Sequence, residues 1–136
     1  MKEELKGPKV DDVLVAVVQE VGDLGKDVFN VYLVNLKSET LESVLVTSKG
    51  YIKSKSDGSK IETSVIRRNL KDIAPNSFQK IEPIIEDVFG LNNEYWVSFW
   101  IDKKMYDKRF IFLPETIKEE NYVVVPLIDK KGVVIC

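Results

Sequence analysis

The stretch from Asn93 to Leu113 constrains the fold more than any other part of this chain. Seven of the thirteen aromatic residues, both tryptophans included, fall between Tyr95 and Phe112. They form two runs, Tyr95 to Ile101 and Tyr106 to Leu113, separated by the polar Asp102-Lys103-Lys104-Met105. Aromatic and β-branched side chains suit a pleated, half-buried surface, and a short charged connection suits a hairpin. Period two sends Tyr95, Val97, Phe99 and Ile101 to one face and Trp96, Ser98 and Trp100 to the other. Both faces are largely apolar. The run therefore reads as a central strand buried on both sides, or as one buried on a single side with an adhesive outer patch. For Trp96 and Trp100 the first reading is half of a sandwich core, and the alternatives are a dimer interface or an aromatic platform for a small ligand.

The same strand signal recurs along the chain. Strands are expected at 12–21, 28–36, 41–48 with an extension past Gly50, 60–70, 78–85, 122–128 and 132–135. Valine crowding favours strand over helix in the first of these. Turns are expected at Gly22-Asp23-Leu24-Gly25, at Asp57-Gly58 within Ser54 to Ser59, and at Ala74-Pro75-Asn76-Ser77. Pro83 demotes the end of its strand to an edge or bulge. Single helical turns fit 84–90 and 114–120. About eight or nine strands at roughly ten-residue spacing predict an all-β protein, an antiparallel β-sandwich of immunoglobulin-like kind with at most one or two short helical turns. One domain over 1–136 is expected, with residues 1–11 as a loose arm.

Chemistry is constrained mainly by what the sequence lacks. There is no histidine, and the one cysteine is Cys136. The usual general base, the familiar nucleophilic triads and any Cys/His zinc site are thereby removed. The acidic pairs Asp11-Asp12, Glu86-Asp87 and Glu119-Glu120 are adjacent in sequence, so on a strand their side chains diverge, and they read as solubilising charge. No catalytic residue, no metal site and no cofactor is expected. The net charge of −2 gives the molecule as a whole no pull toward a polyanion or a membrane. No apolar run approaches the ~18 residues of a spanning helix, and Met1 to Lys9 lacks the apolar core of a signal peptide, so a cytoplasmic location is the expectation.

Several segments together carry a resemblance: Val31-Tyr32-Leu33-Val34-Asn35, Val44 to Tyr51, Glu62-Thr63-Ser64, Leu91 to Phe99 and Tyr106-Asp107-Lys108-Arg109-Phe110. They resemble a group of small bacterial proteins of unknown function that go under the name of phenylalanyl-tRNA synthetase alpha subunits. The resemblance covers nearly the whole chain and brings no defined active site. The sequence has no Gly-x-Gly-x-Gly-x-Glu-Arg segment, so no synthetase residue is carried over.

Charge is unevenly distributed. From Lys49 to Lys71 there are seven cations against Asp57 and Glu62, a net of +5, which leaves −7 for the remainder. Lys53, Lys55, Lys60, Arg67 and Arg68 on this ribbon are the candidate interaction surface, and lysine protection of an edge strand is the plainer explanation. Three functions follow as expectations. The first is a non-catalytic interaction module, self-associating or binding a protein through a sheet face or edge. The second is an RNA- or tRNA-binding protein using the ribbon 49–71, and the third an enzyme without a recognisable motif.

Overall fold

The computed structural model describes residues 9–53 and 58–136. Ten strands occupy the described chain: β1 (Val13–Val21), β2 (Asp27–Asn35), β3 (Leu41–Lys53), β4 (Lys60–Glu62), β5 (Ile66–Ile73), β6 (Ser77–Ile84), β7 (Asn92–Ile101), β8 (Lys104–Phe112), β9 (Val123–Val124) and β10 (Lys131–Ile135). They form two antiparallel sheets that do not close into a barrel. The first has the order β6-β2-β1-β10-β9. In the second, β3 lies between β7–β8 on one side and β4 and β5 on the other. The all-β sandwich expected from the sequence is what the chain adopts.

Local chemistry explains the elements. The aromatic hairpin closes through a two-residue turn, Asp102-Lys103, with φ of 48° and 66°. Two successive left-handed residues match the right-handed twist of the flanking strands. Pro75-Asn76 turns the chain from β5 to β6, with Asn76 at φ 49°. Gly58 has the positive φ (73°) anticipated for the β3–β4 turn, whereas Asp57 and Lys55 lie outside the described residues. The long return strand expected at 60–70 is broken into β4 and β5 at 63–65, where the Gly50 N–H donates to Thr63 Oγ1 and Thr63 N–H to the Gly50 carbonyl, each at 2.8 Å. Single 3-10 turns occur at Glu86–Val88 and Glu119–Asn121, near the two expected, and a third at Asp23–Gly25. Instead of a strand running to Ile128, only Val123–Val124 pairs with β10.

The core fills the space between the sheets. Val13, Val15, Val17, Val31 and Leu33 of the first sheet meet Leu41, Val44, Val46, Val97, Phe99, Phe110 and Phe112 of the second. Burial of alternate residues is the period-two pattern in three dimensions. The first sheet is also covered on its far side, where Val125 packs on Ala16, Val18 and Val34. Val125 is held by its own loop: its N–H donates to the Lys130 carbonyl at 2.8 Å. The valine saturation of β1 thus reflects a strand buried on both faces.

A polar clip fastens this covering loop. Lys130 Nζ lies 2.6 Å from Glu20 Oε2, while Tyr32 OH and Asn30 Nδ2 donate to Glu20 Oε1 at 2.6 and 2.9 Å. Burial works against ionisation of Glu20, but the three hydrogen bonds and the ammonium charge outweigh it and hold the carboxyl down at about 2. Burial, then the bond to Glu20 and its charge, push the Tyr32 phenol up to about 12. Because the folded value of Glu20 lies below its ordinary 4.5, its contribution is complete above that pH and disappears as pH falls toward 2. Replacing Glu20 with Gln should remove about 1–2 kcal/mol at neutral pH. The variant should also flatten the fall in stability between pH 4.5 and 2, as followed by urea denaturation. Parallel curves for variant and wild type would contradict the clip.

The second sheet has no such cover. Trp96 and Trp100 are 44% and 42% exposed on its outer face, beside exposed Leu45 and Met105. Their expected place in the core is therefore corrected: it is Tyr95, Val97, Phe99 and Ile101 that turn inward. The physical reason lies in the hairpin. Tyr95 and Phe99 share a face with Phe110 and Tyr106, whereas Trp96, Ser98 and Trp100 share theirs with Arg109, Asp107 and Met105.

Candidate functional site

Besides the Glu20 clip, two places among the described residues gather polar and aromatic groups from distant parts of the chain. The first is the open face of the second sheet. Strand register sets Arg67, Thr47, Trp96 and Arg109 in one row across β5, β3, β7 and β8. The next row holds Asn69, Leu45, Ser98 and Asp107, and Trp100 pairs with Met105 beyond it. The Arg109 guanidinium lies 5.6 Å from the Trp96 ring centroid, a cation–π contact. Trp96 Nε1 donates to Asp107 Oδ2 at 3.2 Å, and Arg109 Nη1 stands 3.8 Å from Glu94 Oε1. The indole is thus held in place from both sides. Shallow depressions of about 420 and 370 Å³ flank it, the first toward Arg67 and Met105 and the second toward Lys49 and Val65.

The basic ribbon is only partly a surface. Lys53 and Lys60 face each other at the β3–β4 end, and Lys60 is engaged by Glu62 at 2.6 Å and by the Tyr51 ring at 5.2 Å. Arg67 joins the tryptophan row. Arg68, its neighbour, points to the other side of the strand and reaches Glu82 Oε1 at 3.4 Å. Lys55 lies outside the described residues. Among the described candidate cations, Arg67 shares the row of Trp96. Arg109 and Lys49, which the sequence reading did not put forward as site residues, complete the charge around the indole.

The second place is a cleft of about 300 Å³ where the two sheets part, between β3 with the 63–65 connection and the end of β6. Glu82 is among the residues that line it. Tyr95 OH donates to Glu82 Oε2 at 3.0 Å, and Ser48 Oγ to Oε1 at 3.1 Å, the oxygen Arg68 Nε also reaches. Burial, reinforced by the Glu82 carboxylate, pushes the Tyr95 phenol far up, so it stays protonated and serves as a donor. Adjacent residues gave no hint of this cluster, whose members come from four strands.

Among the described residues, no three acidic or cysteine side chains converge as metal ligands, and no helix is long and apolar enough to cross a membrane. No protein-family model matches the chain, and no curated protein or solved structure matches it either. Function must be read from the surfaces themselves.

Proposed function

We propose that this chain is a non-catalytic interaction module that self-associates through the outer face of its second sheet, centred on Trp96 and Trp100. The observation that carries the reading is the asymmetry of the sandwich. One sheet is covered on its far side by Val125 and its loop, while the other leaves both tryptophans of the molecule exposed. Contiguous exposed apolar side chains with a polar rim mark interaction surfaces, and tryptophan and arginine are the residue types that dominate them. Charge on the face favours a second copy. Arg67, Lys49 and Arg109 alternate with Glu94 and Asp107, so a twofold arrangement can set cations against carboxylates.

RNA is the competing partner, supported by the arginines beside Trp96, where a base could stack. Glu94 and Asp107 against the same indole oppose it, as does the inward turn of Arg68. The sandwich itself we read as immunoglobulin-like. In support, a β1–β2 hairpin lies in one sheet, β3 and β5 lie in the other, β6 returns beside β2, and a β7–β8 hairpin lies beside β3.

Size-exclusion with light scattering at tens of micromolar should give a dimer mass for the wild-type chain. The Trp96→Ala/Trp100→Ala double variant should give a monomer mass while remaining folded, because neither side chain is core. A monomeric wild type that shows a salt-dependent shift with tRNA, lost in Arg67→Glu, would replace self-association by the RNA reading.

A further inference from the structure

We infer that the cleft between the sheets is a binding site for a small organic ammonium ion carrying a short apolar chain. The site is independent of the tryptophan face and lies around the edge of the second sheet from it. Three observations define the ligand. The walls are apolar, formed by Ile66, Pro83, Ile84, Ile85 and Val88, so the body of the ligand must be apolar too. The volume, about 300 Å³, is that of about ten water molecules, which limits the ligand to a few carbons and a polar head.

The third observation is that the polar groups inside offer acceptors. Among the described residues Glu82 receives three donors, from Tyr95, Ser48 and Arg68, and a carboxylate has about four acceptor sites, so they leave one open. Asn93, almost wholly buried, spends its amide nitrogen on the Val88 and Leu91 carbonyls at 2.9 and 3.2 Å. Its Oδ1 lies on the Gly50 side of the cleft. Two donor-bearing side chains near the cleft are engaged elsewhere. Thr63 Oγ1 donates to the Ser64 carbonyl and accepts from Gly50 N–H, and the Lys49 ammonium sits 5.5 Å over the Tyr51 ring on the outer face. Arg68 touches Glu82 through one nitrogen at 3.4 Å, a long contact, with its side chain 41% exposed. Among the described residues the carboxylate thus keeps room for one more donor at the cleft, and a compact ammonium fits there.

The test uses the full chain and n-butylammonium as the probe, with n-butanol as its neutral counterpart. Amide chemical shifts of Glu82, Asn93 and Tyr95 should move on titration with butylammonium and saturate, at an affinity at least about tenfold above that for butanol. Glu82→Gln keeps the shape but not the charge and should abolish the preference. Should that variant fail to fold, Ile85→Trp leaves Glu82 and its partners in place, narrows the mouth from an exposed position and should weaken binding by a similar factor. Equal binding of amine and alcohol, unchanged binding in these variants, or no saturable shift would each overturn the assignment.

Discussion

Gly132→Ala should destabilise the fold by about 2–4 kcal/mol, lowering the melting temperature by roughly 10 °C. Gly132 sits in β10 opposite Val18 of β1, and a Cβ built on it would stand 2.1 Å from the Val17 carbonyl oxygen and 3.0 Å from Val18 Cα. Both are backbone atoms of a strand buried on its two faces, so neither can swing aside as a flexible side chain would. The strand pair must separate locally instead. That loosens the loop carrying Val125 and Lys130, because the same hairpin brings it over the first sheet. Amide hydrogen exchange should show the loss concentrated at Val133, Val134 and their β1 partners. A variant that melts with the wild type and keeps protection there would refute the close approach.

Asn35 is the second position where a small change should have a large effect. It is fully buried at the end of β2, where the chain crosses from one sheet to the other. Its Nδ2 donates to the carbonyls of Glu39 and Ala74 at 2.9 and 3.0 Å and approaches that of Ile73 at 3.4 Å, while its Oδ1 accepts from Lys37 N–H at 3.0 Å. One amide thereby ties together two of the connections that carry the chain between the sheets, β2–β3 and β5–β6. Asn35→Leu should remove about 2–4 kcal/mol, because carbonyls kept from water lose their donor. Asn35→Asp should be as damaging at neutral pH, since a carboxylate retains the bond from Lys37 but sets a second oxygen against the three carbonyls. Urea midpoints for the pair give the comparison. An aspartate variant as stable as wild type would mean that the amide nitrogen does not hold the crossover.

Much of this architecture could be read from the sequence because strands announce themselves locally. The aromatic hairpin, the turn at Pro75-Asn76 and the valine run of β1 all depend on neighbours within a few residues. Which face of β7 meets the core does not. Both of its faces are apolar, and the decision rests with the opposing strand. Phe110 and Phe112 make the Tyr95 face the inner one, and Asp107 and Arg109 make the tryptophan face the outer one. That signal was present in the sequence, since a two-residue turn at Asp102-Lys103 fixes every cross-strand pair. Arg67 and Arg68 were separable on the same ground, as neighbours on a strand point opposite ways. The Glu82 cluster and the Asn35 crossover are different. Ser48 and Glu82 are 34 residues apart, and Asn35 and Ala74 are 39 apart, so nothing local marks either contact.

Trp96 and Trp100 are the two tryptophans of the chain, so intrinsic tryptophan emission reports on the proposed interface alone. The direct measurement is iodide quenching of that emission across a dilution series of the wild-type protein, from well below to well above a micromolar. Self-association through this face predicts strong quenching at the dilute end that falls as concentration rises, with a blue shift over the same range as the indoles leave water. Quenching that stays equally strong at every concentration, with a monomer mass throughout, would contradict self-association through the second sheet.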